Sequence, residues 1–392
     1  MEGQGPYAED QGTKAPGSPG AEGEPDQGVS SAPAAAVPAA RGGGPARRRK
    51  FAAGLIGAIG VSIVSLLFIV SFIGALHDPG PRSVPVGLVG THGQASSLNT
   101  AFSHKAPGAF VITRYPTVAA AHTAILNRTL DAAVVPGPPT RLLVAAAVGH
   151  SLTGAVIKAF EAAASAKHVP LTVQDIRPLP PSDPDNLSQV FFIIALLSPS
   201  LIFGNLLVKR LSSDLHPLIQ LGLIVIYAAI AAAIAAVFAD AVIGALVGSP
   251  WGIFGIGALL SFAAAVMAAA STRWTGGIGY AVIGLLFIAV GIPASGTALG
   301  PQMITPWYAD LGRALPTGSS ITAIQNTVYF NGNAITTPLV IVSAWALAGV
   351  IAMVMAAILH PALPGLPAQS PDQSADLAAQ GQPTGRHARV GT

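Results

Sequence analysis

The sequence predicts an α-helical polytopic membrane protein, with six transmembrane helices and an external α/β domain between helices 1 and 2. Three observations lead to this fold class. Hydrophobic residues make up 51% of the 392 residues and charged residues only 9%, whereas a typical soluble domain carries about 25% charged residues. Six stretches are apolar and long enough to cross a bilayer. Between the first two stretches, strand-like and helix-like patterns alternate, which is typical of an α/β layer structure.

The lengths of the apolar stretches define the predicted transmembrane helices. A helix rises ~1.5 Å per residue and the hydrocarbon core is ~30 Å thick, so about 20 residues suffice to cross it. The stretches that meet this requirement are 51–76, 189–208, 217–239, 251–271, 277–294 and 337–359. The first has too long an apolar core for a cleaved signal peptide, so we expect it to be retained as a helix.

Basic residues beside these stretches predict the orientation. The cluster Arg-Arg-Arg-Lys at 47–50 precedes the first helix and places the N-terminus in the cytoplasm, because short cytoplasmic flanks are enriched in Lys and Arg. Six alternating helices then put Lys209, Arg210 and Arg273 on the same side, whereas Arg313 lies in a longer outer segment. We therefore expect a multi-pass protein of the cell membrane with both termini in the cytoplasm.

The two ends of the chain, 1–46 and 361–392, are rich in Gly, Pro, Ala, Ser and Gln. They nearly lack apolar side chains larger than Ala, so they cannot bury enough surface to offset the entropy lost on ordering. We predict that both segments are disordered cytoplasmic tails.

The segment 77–188 is long enough for a small domain with its own core. Its predicted strands are 84–89, 109–113, 131–135, 141–148 and 171–176, and its predicted helices are 94–102, 117–127 and 149–167. In the last helix, Leu152, Val156 and Phe160 lie on one face. Four prolines between 178 and 184 then predict a stiff connector back to the membrane.

Residues able to carry chemistry are sparse in this domain. Six of the nine histidines lie here, but none has a partner at the spacing of a helical ligand pair, so solvated histidines are favoured over a metal site. Val-Gly-Thr-His-Gly at 89–93 matches no phosphate-binding motif and predicts a tight turn after a strand. The chain also lacks Cys. We predict no catalytic residue, no cofactor and no metal.

The predicted transmembrane helices carry no charge at mid-bilayer, where ion- or proton-coupled carriers usually keep one. Asp240 comes nearest, and an interfacial, solvated carboxylate is favoured there. No arrangement typical of an intramembrane protease is present, so we do not expect an enzyme. Gly54, Gly57 and Gly60 favour close helix packing. Pro199 predicts a kink, which either lines a pathway or is merely tolerated.

The segment 296–336 is too polar and broken to span a bilayer, yet too apolar for a plain loop. Its aromatic residues suit the headgroup level; they are Trp307, Tyr308, Tyr329 and Phe330. Apolar residues on one helical face of 320–330 predict an interfacial helix that lies flat at the outer surface of the membrane. The alternative is an ordered external loop.

Several short patterns resemble the type 2 ABC-exporter permeases, and more closely the bacterial branch around the phage infection protein. Residues 291–296 are similar to the family's G-N-P-S-S/A-G, 307–318 to W-x-x-x-G-x-x-L-P-x-G, and 328–332 to V-Y-F-x-G. The connector 175–183 resembles D-x-x-P-L-P-x-x-D. The resemblance implies structural or pathway roles for the matching residues Gly291, Pro293, Gly296, Trp307, Pro316, Gly318, Tyr329, Phe330 and Gly332.

This resemblance covers residues 84–350 and implies an export permease that works as a homo- or heterodimer with a separate ABC ATPase. Two features depart from the family. Gln325 stands where the family usually carries an arginine. The loop 209–216, whose Lys209 and Arg210 are the predicted ATPase-docking residues, lacks the family's E-x-x-x-G-T-like segment. The chain also has no G-x-x-x-x-G-K-[ST], so another polypeptide would have to hydrolyse ATP.

Two functions are therefore predicted. The leading one is a permease-like membrane subunit of an ABC-type exporter for an apolar or amphipathic molecule. The alternative is a non-transporting, membrane-anchored binding or scaffold protein, whose external domain engages a cell-envelope, phage or secreted partner. In both, the lipid bilayer is the surrounding medium and nucleic acid is not expected as a partner.

Overall fold

The structure, a computed structural model, describes residues 45–211, 215–296 and 299–359, and 70% of these described residues are in helices. The predicted tails lie outside the described residues, apart from Pro45 and Ala46. The chain divides into two compact units after Gly57. The α-helices in chain order are α1 (Pro45–Leu76), α2 (His92–Lys105), α3 (Val118–Leu126), α4 (His150–Ala166), α5 (Ser188–Leu211), α6 (Pro217–Val237), α7 (Pro250–Thr275), α8 (Gly277–Gly284), α9 (Gly291–Ala294), α10 (Pro306–Ala314), α11 (Pro316–Tyr329) and α12 (Thr336–Leu359).

Six helical segments are long and apolar enough to cross a membrane, which confirms the predicted number. They are Arg48–Leu76, Ser188–Arg210, Pro217–Val242, Pro250–Thr275, Gly277–Ala294 and Thr336–Leu359. The fifth is not one regular α-helix, because α8 continues through a π-helical segment, Leu285–Val290, into α9. Helix α5 contains Pro199 and remains helical on both sides of it.

The α/β domain, residues 77–187, contains one five-stranded sheet. Its strands are β1 (Val84–Val89), β2 (Phe110–Tyr115), β3 (Ala132–Val135), β4 (Thr140–Val144) and β5 (Leu171–Asp175). They are ordered β2-β1-β3-β4-β5. Strands β1, β2 and β3 are parallel, β4 is antiparallel to β3, and β5 is parallel to β4. The strand predicted over 141–148 ends at Val144, because the chain then turns into a short 3-10 helix, Ala146–Val148.

Helices α2 and α4 lie on the same face of this sheet. The rings of Phe102 on α2 and Phe160 on α4 have centroids 4.8 Å apart, and both rings contact Phe110 on β2. Crossovers between parallel strands are right-handed. The crossover from β1 to β2 and the crossover from β2 to β3 run in opposite directions along the sheet, so α2 and α3 lie on opposite faces. Strands β3 and β4 form a hairpin and need no crossover helix, so the chain supplies no helix to cover β3 between α2 and α4.

Helix α7 is the centre of the helix bundle and contacts α5, α6, α8, α11 and α12. Small residues permit these contacts, as expected where helices pack closely. A Cβ atom on Gly204 of α5 would overlap the carbonyl oxygen of Ala265 on α7. Helix α1 is different, because its side chains from residue 58 to 70 are almost all exposed. Near its end, Phe72 and Ala75 pack against buried apolar residues.

Candidate functional site

Helix α11 connects the α/β domain to the helix bundle. It packs against α5, α7 and α12 of the bundle and also contacts the 3-10 helix Ala146–Val148 of the α/β domain. With 14 residues it is about 21 Å long, too short to cross a bilayer. The candidate site is the junction where this helix meets the domain.

The burial of α11 differs from the burial expected of the predicted interfacial helix over 320–330. The helix begins at Pro316, and most of its residues are buried, including the polar Ser320, Gln325 and Asn326. A helix lying flat on a membrane buries only one face and keeps its polar face in water. Here protein covers the polar face as well, so the packing is that of an internal helix.

The glycines and prolines that the sequence patterns single out, before and at the start of α11, lie where α9, α10 and α11 meet. A Cβ atom on Gly318 would overlap the carbonyl of Gly312, and one on Gly291 would lie 2.9 Å from Oγ1 of Thr317. Gly296 has a φ of +78°, which L side chains rarely adopt. Pro293 is buried in α9 and Pro316 is buried at the first position of α11. These positions permit close backbone packing.

The aromatic residues singled out in the sequence separate into three environments. Trp307 is 68% exposed. Tyr308 is buried, and its hydroxyl hydrogen-bonds with Ser71 of α1. Tyr329 and Phe330 pack into the core of the α/β domain, with Phe330 fully buried. Gly332, with a φ of +78°, forms the turn that follows.

Gln325 is the central residue of the junction. Its side-chain amide donates to the carbonyl oxygens of Ala147 (2.7 Å) and Val148 (3.2 Å). Its Oε1 accepts a hydrogen bond from Nη2 of Arg128 at 3.2 Å. The same guanidinium lies over the ring of Phe330, 4.7 Å from the centroid. The neutral amide of Gln325 on α11 is thus hydrogen-bonded to the guanidinium of the half-buried Arg128 of the α/β domain.

A buried carboxyl group lies close to this arginine. Asp131, 8% exposed, accepts a hydrogen bond from Nε2 of Gln302 at 2.8 Å. Burial raises the pKa of Asp131 to about 6, and the positive charge of Arg128 opposes part of the rise. Burial likewise lowers the pKa of Arg128. Arg128 and Asp131 are thus each hydrogen-bonded to a glutamine from the segment between α9 and α12.

The two connector aspartates cap backbone groups. Oδ1 of Asp175 accepts from the amides of Ala146 and Arg177. The carboxylate of Asp183 accepts from the amides of Leu187 and Ser188, at the start of α5. Asp183 thereby satisfies donors that a helix N-terminus leaves without partners. Burial and the charge of Asp183 together raise the pKa of Tyr329 to about 12.

The predicted docking residues Lys209 and Arg210 are exposed in the last turn of α5, far along the chain from the junction. Residues 212–214 of the loop that follows lie outside the described residues. Within the described residues, no group of three or more His, Asp or Glu side chains could hold a metal ion. Comparisons with protein-family models, curated proteins and solved structures find no match to this chain.

Sequence reasoning missed Arg128, Asp131 and Gln302. One signal was present for Asp131, because it stands directly before the apolar strand β3, and a carboxylate beside a buried strand needs a partner. Arg128 gave no such signal, since its position after α3 resembles an ordinary solvated helix end. Its role depends on Gln325, which is 197 residues away in the chain.

Replacing Gln325 by Ala should destabilise the junction. The substitution removes the donor to two carbonyl oxygens and leaves the half-buried Arg128 without its hydrogen-bond acceptor on Gln325, at a cost of roughly 2–4 kcal/mol. Thr322→Ala, one turn earlier on α11, is the matched control because its hydroxyl bonds only to Gly318 of the same helix. Thermal unfolding of the two purified variants tests this, and equal stability losses would contradict it.

Asp131 should make stability depend on pH. Because burial raises its pKa from 3.8 to about 6, the folded state holds the proton more tightly than the unfolded state. The stability that Asp131 contributes is therefore fully present below about pH 4 and is lost as the pH rises through 6, with a total loss of about 3 kcal/mol. Asp131→Asn should remove this fall, whereas the exposed Asp185→Asn should retain it. Unfolding temperatures between pH 4 and pH 7 provide the measurement.

Proposed function

We propose that the chain is the permease-like membrane subunit of an exporter for an apolar or amphipathic molecule, working as a dimer with an ATPase supplied by another polypeptide. It would lie in the cell membrane with both termini in the cytoplasm and the α/β domain outside. The observation that carries the proposal is α11, a short polar helix enclosed by three apolar helices that are long enough to span.

Enclosing polar groups in this way costs free energy when they have no hydrogen-bond partner. Oγ of Ser320 on α11 and Oγ of Ser261 on α7 are buried, and neither has a hydrogen-bond partner among the described residues. An anchor needs no such groups, since an unpaired buried hydroxyl costs free energy. Transporters retain polar groups and non-spanning helices in the membrane where these line a pathway. The layout that resembles type 2 ABC exporters supports the same assignment.

Ser320→Ala separates a pathway role from a structural one. Removing an unpaired buried hydroxyl should leave the unfolding temperature unchanged or slightly raised, while export should fall several-fold if the hydroxyl lines the route. The assay is ATP-dependent uptake of a fluorescent single-chain lysolipid into inverted membrane vesicles. Ser343→Leu, on the exposed face of α12, is the control and should transport normally. Unchanged uptake by Ser320→Ala would count against the proposal.

A specific observation favours the scaffold as a second candidate function. Helix α5 ends at Leu211 and α6 begins at Pro217, so only five residues of sequence between the two helices are left for a docking ATPase. In the scaffold hypothesis, the α/β domain engages a partner in the cell envelope and the helices act as an anchor.

Purification in mild detergent distinguishes the two functions. The exporter predicts an ATPase subunit that co-elutes with the chain and is lost when Lys209 and Arg210 are both replaced by Glu, because charge reversal disrupts electrostatic docking. The scaffold predicts a cell-envelope or secreted partner, retained in that variant and lost when the α/β domain is altered. Replacing the exposed Lys158 and Arg141 of the α/β domain by Glu is the charge-matched control for the exporter, in which the ATPase should still co-elute.

A further inference from the structure

The α/β domain contains a cleft of about 800 Å³ between α2 and α4. Its lining residues are distinct from those of the junction. The cleft lies where the β3–β4 hairpin leaves the sheet face without a covering helix. Its volume is within the range of small-molecule binding sites, about 300–1,000 Å³.

Most of the cleft surface is apolar. Leu88 of β1 and Val134 of β3 contribute to the floor, and Leu98 of α2 and Ala163 of α4 to the walls. The contact between the rings of Phe102 and Phe160, with centroids 4.8 Å apart, joins the two walls. The N-cap Thr91 and seven lining residues of α2, the last of which is Lys105, lie along one face of the helix, so the cleft follows the helix for roughly 20 Å.

One end of the cleft is polar. Thr91, Gln94 and Thr140 line it together with Lys167. The strand register places Thr91, which follows β1, and Thr140, which begins β4, at the same edge of the sheet. Strands β1 and β3 both end at this edge. From β1 the chain passes first to β2, on one side of β1, and then to β3, on the other side of β1. Ligands of open α/β sheets bind at such a reversal point.

The charges of the cleft have a single sign. Its ionisable lining residues are Lys167, at the polar end, and Lys105, at the opposite end of the α2 wall, and the lining, all within the described residues, includes no Asp or Glu. The N-terminus of α2 adds positive potential at the polar end. A long apolar groove with a cationic polar end is complementary to one kind of small molecule, an extended hydrocarbon chain that carries an anion at one terminus.

We propose that this cleft binds a single-chain anionic amphipath, with the acyl chain along α2 between Leu98 and Phe160 and the anionic head group at the Lys167 end. A fatty-acid carboxylate and a monoacyl phosphate share this chemistry. The inference goes beyond the proposed function, because a binding cleft in the α/β domain would serve an exporter or a scaffold equally.

The test uses the full chain in amphipol and a palmitic acid that carries a photoreactive diazirine on its acyl chain. After irradiation, mass spectrometry locates the modified peptides, which separates labelling of the cleft from labelling of the apolar bundle helices. We expect labels on α2 and α4. Unlabelled palmitate or a monoacyl phosphate should compete, and the stronger competitor identifies the head group. Methyl palmitate, which has the same chain without the charge, should compete poorly.

Variants test which part of the cleft binds the head group and which part binds the acyl chain. Lys167→Gln should raise the half-saturating probe concentration about two- to fivefold, the range expected for one partly solvated ion pair. Lys158→Gln, an exposed lysine of α4 outside the cleft, is the control and should leave it unchanged. Ala163→Trp should fill the groove and lower α2 labelling more than tenfold, with circular dichroism and the unfolding temperature confirming that the domain remains folded.

Three outcomes would overturn the proposal: no label on α2 or α4, equal competition by methyl palmitate, or equal effects of Lys167→Gln and Lys158→Gln. Failure of the proposed function is separate, because it would appear as the absence of ATP-dependent uptake into vesicles while the cleft is still labelled.

Discussion

The burial of α11 constrains the structure around it, because the polar groups of an enclosed helix must find partners inside the protein. Gln325 finds them in the carbonyl groups of Ala147 and Val148 and in Arg128. Thr317 donates to the carbonyl of Phe287 at 2.6 Å. That carbonyl lies in the π-helical segment Leu285–Val290, where the altered ladder makes a main-chain oxygen available to a side chain. The irregular fifth apolar helix and the α/β domain thus both supply hydrogen-bond partners to polar side chains of α11.

Close backbone packing explains why the residues around α11 are small. Gly312 leaves room for direct contact between α10 and Ala294 of α9, Gly318 for contact between α11 and α10, and Gly291 for the side chain of Thr317. Any larger side chain there would separate the helices and break the hydrogen bond between Thr317 and Phe287. The resemblance predicts structural or pathway roles for Gly291 and Gly318, and the geometry is sufficient to account for a structural role.

The sequence allowed accurate prediction of features that depend on neighbours in the chain. Six apolar runs near 20 residues predicted six long apolar helices, because few other structures satisfy the backbone of such runs. Alternating patterns predicted the α/β composition of residues 77–188. Contacts between distant residues were not predictable, since hydropathy does not record which elements pair. The hydrogen bond between Arg128 and Gln325, and the antiparallel position of β4 that opens the cleft, belong to this second group.

Strand β3 connects the two regions of interest in the α/β domain. Asp131, hydrogen-bonded to Gln302 at the junction, directly precedes the strand, and Pro136, which lines the cleft, directly follows it. Four residues of extended chain span only about 13 Å, and hydrogen bonds to β1 and β4 hold both sides of the strand. A molecule bound in the cleft would therefore lie against a short, rigid element whose other end carries the buried carboxyl of the junction. The junction and the cleft are thus joined through the backbone of one strand that is hydrogen-bonded on both sides.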